Sequence, residues 1–212
     1  MAADLTHLAI LLARPTSLLV VDMQRDYCVP EGVIGRLGFD TGHFAGVAER
    51  LDGFLAASAS RLPHRVFIRT QAPAWPRSRA LREQYGRSPL ARTVAANLSD
   101  WFGVRPGPDD PVVEKFRYSA FMDTTLDALL RARGTETLVI AGVTTEVCVE
   151  STVRDAFFHD YGVITLSDCT GASTPERHRV SLGVIDQFFG PVATADEVLG
   201  ALRLAGDAPS PT

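Results

Sequence analysis

The stretch TLVIAGVTTEVCVESTVRDAFF, Thr137 to Phe158, decides the fold. Its apolar run ends in Gly142, two threonines come after Val143, and Cys148 opens what reads as a helix from Thr145 to Asp160. A near-continuous apolar run, rather than strict alternation, is what a parallel strand covered on both faces requires. The same pattern recurs in SLLVVD (Ser17 to Asp22), RVFIRT (Arg65 to Thr70), PVVEK (Pro111 to Lys115) and GVITL (Gly162 to Leu166). Helix-length segments separate these runs: His43 to Arg61, Asp123 to Arg133, and Pro175 to Phe189 after a Ser173/Thr174 cap with proline in first position. Strand and helix in alternation predict a doubly wound α/β sheet with helices on both faces.

The 212 residues suit a single domain spanning 1–212, and with 46% apolar and 22% charged residues a large core can form. Net charge is −4, from 21 basic and 25 acidic residues, and the basic ones are dispersed. No footprint for nucleic acid or an anionic membrane results, so the expected partner is a small molecule. Asp4 sits where a signal peptide carries basic charge, and no run approaches the roughly 18 apolar residues that span a bilayer. Three cysteines, Cys28, Cys148 and Cys169, cannot all pair within a monomer and form no CxxC motif. A cytoplasmic protein with free thiols is expected. The segment from Gln71 to Pro111 is rich in Pro, Arg and Trp, and APAWPRSRALREQYG within it reads as a loop and short helix that cover a pocket. The tail 206–212 reads as disordered.

Ligands of open α/β sheets sit beyond the carboxyl ends of the strands. Asp22 closes SLLVVD, Lys115 closes PVVEK, and Cys148 follows TLVIAG by six residues, so the three converge on one sheet edge. Each alone has a plain structural reading: a turn cap, a solvated lysine, a buried inert thiol. An acid, a base and a thiol at equivalent strand ends point instead to one site. A thiolate is the attacking species, and a cysteine at a helix N-terminus beside an ammonium has its pKa lowered. Asp22 would take the thiol proton and later deliver it to a leaving amine. Backbone N–H groups around Thr144 to Cys148 would hold the developing oxyanion.

The stretches LLVVDMQRDYC (Leu18 to Cys28), VVEKFRYSAFMDTTLDALLRARG (Val112 to Gly134) and VIAGVTTEVCVESTVRDAFFHDYGV (Val139 to Val163) resemble, in order, those of the isochorismatase-like cysteine hydrolases. The resemblance implies a mainly parallel six-stranded sheet and a homodimer or homotetramer. It also implies Asp22 as proton shuttle, Lys115 as the cation that lowers the thiol pKa and steadies the intermediate, and Cys148 as nucleophile. A cis peptide between Val143 and Thr144, with the N–H groups of Thr144 and Cys148 as oxyanion hole, is implied as well. Nicotinamidase members carry metal ligands in a stretch resembling TQDWHPxNH, where this chain reads TQAPAWPRS, and none of its five histidines (His7, His43, His64, His159, His178) falls there. Neither a metal nor a cofactor is therefore expected. Members that cleave a vinyl ether generally lack the cysteine, so Cys148 argues for carbon–nitrogen cleavage through a thioester.

The pattern is most similar to ureidoacrylate and biuret hydrolases and to N-carbamoylsarcosine amidase. Ureidoacrylate enzymes place Asn and Trp after the second strand, where this chain has Arg69, Thr70 and Gln71. The expected substrate class is therefore kept wide, as a small amide, carbamoyl or ureido compound. A larger amide or lactam is one alternative, and a non-catalytic binding or redox-sensing relative using Cys148 is another. Candidate substrate contacts are Tyr118, Arg69, Gln71 and Gln187, with Trp75 in the pocket cover; an aromatic wall for Tyr118 and a structural salt bridge for Arg69 are the plain readings. Phe157, Phe158 and Tyr161 read as core or subunit interface, and Cys28 and Cys169 lack the helix-entry position.

Overall fold

The computed structural model describes residues 3–71, 78–86 and 100–207. Six strands form one sheet in the order β3-β2-β1-β4-β5-β6. They are β1 (Thr16–Val21), β2 (Arg65–Thr70), β3 (Val112–Lys115), β4 (Thr137–Val143), β5 (Gly162–Gly171) and β6 (Val192–Ala193). All five pairings are parallel. Strand order reverses between β1 and β4, and at such a switch point the carboxyl ends open a crevice.

Alternation along the central strand explains the layers. All six residues of β1 are buried. Leu18 and Val20 feed one core, Leu19 and Val21 the other, because successive side chains leave opposite faces. The first core lies under α1 (Leu5–Leu12), α4 (Phe44–Ser58) and α9 (Ala195–Asp207). The second lies under α6 (Leu126–Ala132), α7 (Glu150–Phe158) and α8 (Pro175–Phe188). Edge strand β3 instead alternates exposed and buried residues, which leaves Val113 and Lys115 inward. Gly142, at φ 117°, passes so close to β1 that a Cβ there would stand 2.0 Å from the Val21 carbonyl oxygen. Only glycine allows β4 to run this path.

Several elements differ from the sequence expectation. The helix expected from Thr145 is split into a π-helical turn, Thr145–Val149, and then α7. β5 continues five residues beyond Leu166, to Gly171, with a register shift against β4 between Ile140 and Gly142. Short helices α2 (Arg25–Cys28) and α3 (Val33–Arg36), not expected, follow β1, whereas α5 (Arg79–Gly86) is the short helix expected within APAWPRSRALREQYG. The last helix reaches Asp207, so residues 206 and 207, read as tail, are helical. Residues 208–212 and Trp75 lie outside the described residues. Among the described residues no helix is long and apolar enough to cross a membrane.

Candidate active site

Three strand ends deliver the reactive groups to one point. Asp22 follows β1 at φ 49°, a left-handed turn that aspartate tolerates better than most residues. Its N–H donates to the Ile68 carbonyl of β2 at 3.0 Å. Oδ2 lies 2.7 Å from Lys115 Nζ, and Oδ1 accepts from Thr70 Oγ1 at 3.1 Å. Asp22 and Lys115 are both fully buried, at 0% exposure. Thr70 is itself clamped: its N–H donates to Gln24 Oε1 at 2.8 Å, and Gln24 Nε2 donates to its carbonyl at 3.2 Å.

Lys115 spends its ammonium on the Asp22 carboxylate, on the Arg117 carbonyl at 2.9 Å and on Cys148 Sγ at 3.4 Å. Burial by itself lowers the lysine pKa, but the charges and hydrogen bonds of Asp22 and Cys148 outweigh it and hold it above its ordinary value. The ammonium is therefore retained. Cys148, 6% exposed, sits in the π-turn. Burial pushes its thiol up to about 12; Lys115 pulls the other way and Asp22 adds to the rise. The sequence expectation of a lowered thiol pKa is thus corrected. Loss of solvation exceeds the pull of a lysine whose charge is already balanced by a carboxylate, and the resting site keeps the proton on sulfur.

The peptide between Val143 and Thr144 is cis. Thr144, buried, gives its carbonyl to the N–H groups of Val147 and Val149, both at 3.1 Å. The π-turn is fixed from α8 and β5. His178 Nε2 can only donate to the Ser167 carbonyl at 3.1 Å, so its Nδ1 accepts from Thr145 Oγ1 at 2.9 Å. Burial holds His178 below the usual histidine range, consistent with this neutral form. Glu146 Oε1 accepts from the Ser173 N–H at 3.0 Å and from its hydroxyl at 2.5 Å. From α7, Thr152 Oγ1 donates to the Cys148 carbonyl at 2.7 Å. Above Cys148, Lys115 and Thr144 opens a cavity of about 250 Å³.

A family model for the isochorismatase domain matches residues 16–197. The chain belongs to the isochorismatase family. It is similar to the ureidoacrylate amidohydrolase RutB of Methylobacterium radiotolerans, at 38% identity over 92% of this chain and 82% of that protein. It is also similar to the enzyme of that name from Variovorax paradoxus, at 35% identity over 87% of this chain and 80% of the other. Among solved structures, a cysteine hydrolase from Pseudomonas syringae pv. phaseolicola superposes with a TM-score of 0.77 at 29% identity, over 92% of this chain and 94% of that one. The chain is accordingly a hydrolase with the isochorismatase-like fold.

In this isochorismatase-family hydrolase the expected substrate contacts separate. Gln71 and Tyr118 line the cavity, and Gln71 Nε2 donates to Glu114 Oε1 at 2.5 Å. Arg69 does not line it. Its guanidinium pairs with Glu114, directly opposite in the β2–β3 register, and hydrogen bonds from Arg69 and Gln71 hold that carboxyl below its ordinary value. Gln187 is exposed and does not line the cavity. Arg177, near the N-terminus of α8, does line it, and Gln187 lies ten residues further along that helix, about 15 Å away. Tyr161 is core, donating its hydroxyl to Asp127 at 2.7 Å. Phe157 and Phe158 are 44% and 71% exposed and form edge-on ring contacts with Phe189.

Among residues the sequence reading passed over, Gln24 and Thr70 hold Asp22 in place, and Val33, Ile34, Leu37 and Phe39 wall the cavity. Among the described residues no group of three or more His, Cys, Asp or Glu is placed to hold a metal ion. Limiting iodoacetamide is expected to modify Cys148 before Cys28 or Cys169, since of the three only Cys148 lines the cavity. Its rate should keep rising through pH 9.0, the ordinary cysteine value, without levelling. Peptide mapping that finds Cys28 labelled first, or a plateau below that pH, contradicts this.

Proposed function

We propose that the chain is a metal-free cysteine amidohydrolase that cleaves a carbon–nitrogen bond of a small amide, carbamoyl or ureido compound through a thioester on Cys148. The observation that carries the reading is the ammonium of Lys115, 2.7 Å from the Asp22 carboxylate and 3.4 Å from the Cys148 sulfur, at the floor of the cavity. The relatives named as ureidoacrylate amidohydrolases support the bond type. The stretch TQAPAWPRS, lacking the ligands of metal-dependent members, supports chemistry without a metal.

Cys148 Sγ attacks the carbonyl carbon while its proton passes to Asp22, so that sulfur becomes charged only as the new bond forms. This order suits a thiol that is protonated at rest. The N–H groups of Thr144 and Cys148 receive the oxyanion, and Lys115 stabilises the added charge. Collapse breaks the C–N bond, and the amine leaves with the proton from Asp22. Water then attacks the thioester and gives a proton to Asp22, and collapse releases the acid and returns the proton to sulfur. Where the acyl group is carbamoyl, the product is carbamic acid, which decomposes to carbon dioxide and ammonia.

The reading takes 1–212 as one domain, acting in the cytoplasm on a small molecule and water as a homodimer or homotetramer. The exposed ridge of Phe157 and Phe158 beside Phe189 supports association. Ammonia release is to be measured across primary amides, ureas and N-carbamoyl amino acids, with mass spectrometry of enzyme quenched during turnover. An acyl or carbamoyl adduct on Cys148 is the expected result; an adduct on another residue sinks the mechanism.

A further inference from the structure

We infer that the non-reacting end of the substrate is an apolar hydrocarbon group, seated on the wall formed by residues 33–39. This rests on the amidohydrolase reading above and names its substrate class. Val33, Ile34, Leu37 and Phe39 line the cavity from one continuous stretch, while Arg36 and Gly38 between them are exposed. Leu81 of α5 and Phe116 after β3 add to the apolar lining. The wall is built rather than incidental. A Cβ at Gly35 would stand 2.2 Å from the Pro30 carbonyl oxygen, so α3 is pressed onto the preceding turn and its outward side chains are held toward the cavity.

Several of the polar side chains that line the cavity are engaged by other residues of the protein. Arg177 Nη1 donates to Ser173 Oγ at 2.7 Å, and its guanidinium lies 4.9 Å over the Phe39 ring. Ser173 donates to Glu146, and Gln71 to Glu114. Lys115 has its three partners. The cavity's 250 Å³ is room for about eight water molecules, and a carbamoyl head over Cys148 fills only its floor. An all-polar substrate would set its remaining groups against this wall without partners. An alkyl or aryl substituent replaces water there with apolar contact.

The test uses straight-chain primary amides and N-alkylureas of increasing length. Binding is measured by calorimetry on the full-length Cys148→Ala variant, and turnover on the unaltered enzyme. Kd is expected to fall about fourfold per added methylene until the cavity is filled, and kcat/KM to rise in parallel. Leu37→Gln should flatten the series, and so should the near-isosteric Val33→Thr, which disturbs folding least. A Kd that is flat or worsens with chain length overturns the inference, and if the unsubstituted compounds still turn over, the amidohydrolase reading stands. Chain-length-dependent binding with no hydrolysis of any member supports the apolar seat and removes the catalytic reading instead.

Discussion

Cys148→Ser is expected to lose hydrolysis by at least about 10⁴-fold, with a thermal midpoint within about 4 °C of the parent. The activity loss follows from chemistry. A serine hydroxyl is a far weaker acid than a thiol, and Asp22 and Lys115 are arranged around a sulfur at 3.4 Å from the ammonium. The small stability effect follows from what holds the π-turn. Thr152 binds the Cys148 carbonyl, His178 binds Thr145, and Ser173 binds Glu146, none of them through the sulfur. Removing Sγ still leaves Lys115 with Asp22 and the Arg117 carbonyl. Cys148→Ala should behave alike, at about 1 kcal/mol for the small void. Full activity in the alanine variant would rule out the thioester.

Asp22, Lys115 and Cys148 were legible in the sequence because strand ends in a parallel sheet share one edge, so an acid, a base and a thiol there must be neighbours. Their protonation was not legible. That helix entry beside Lys115 lowers a thiol pKa is a sound local rule, but full burial is a property of the assembled core and reverses the sign. Gln187 shows a second limit. Alignment by family pattern carried it toward the pocket, whereas the direction of α8 sets Arg177 at the cavity and Gln187 far along the helix. The wall at 33–39 was invisible for a third reason: Val33, Ile34 and Leu37 look like any short apolar cluster until Gly35 packs on Pro30. The additional elements α1, α9 and β6 are short or terminal, and their burial is decided by tertiary contact rather than by periodicity.

Asp22→Asn is expected to destabilise the fold by about 3 to 5 kcal/mol at neutral pH and to lower turnover by about 10² to 10⁴-fold. The first effect arises because the substitution strands an ammonium that is buried at 0% exposure. In the parent, the Lys115 pKa is raised because the Asp22 and Cys148 interactions outweigh burial. Stability from the pair is therefore fully present below 10.5, the ordinary lysine value, and is lost as pH rises through the raised folded value. In the asparagine variant burial is no longer opposed by a carboxylate, and the folded pKa drops below the unfolded one. The unfolded chain then binds more protons, so stability must rise with pH across the alkaline range where the parent is flat. Asp22→Asn/Lys115→Met removes the stranded charge and should recover most of the lost stability without restoring hydrolysis. Thermal midpoints of the three proteins from neutral pH to pH 10.5 decide the matter. An asparagine variant that matches the parent in midpoint and in pH dependence would mean that Lys115 carries no charge that Asp22 balances, and the role proposed for that pair in activating Cys148 would fall with it.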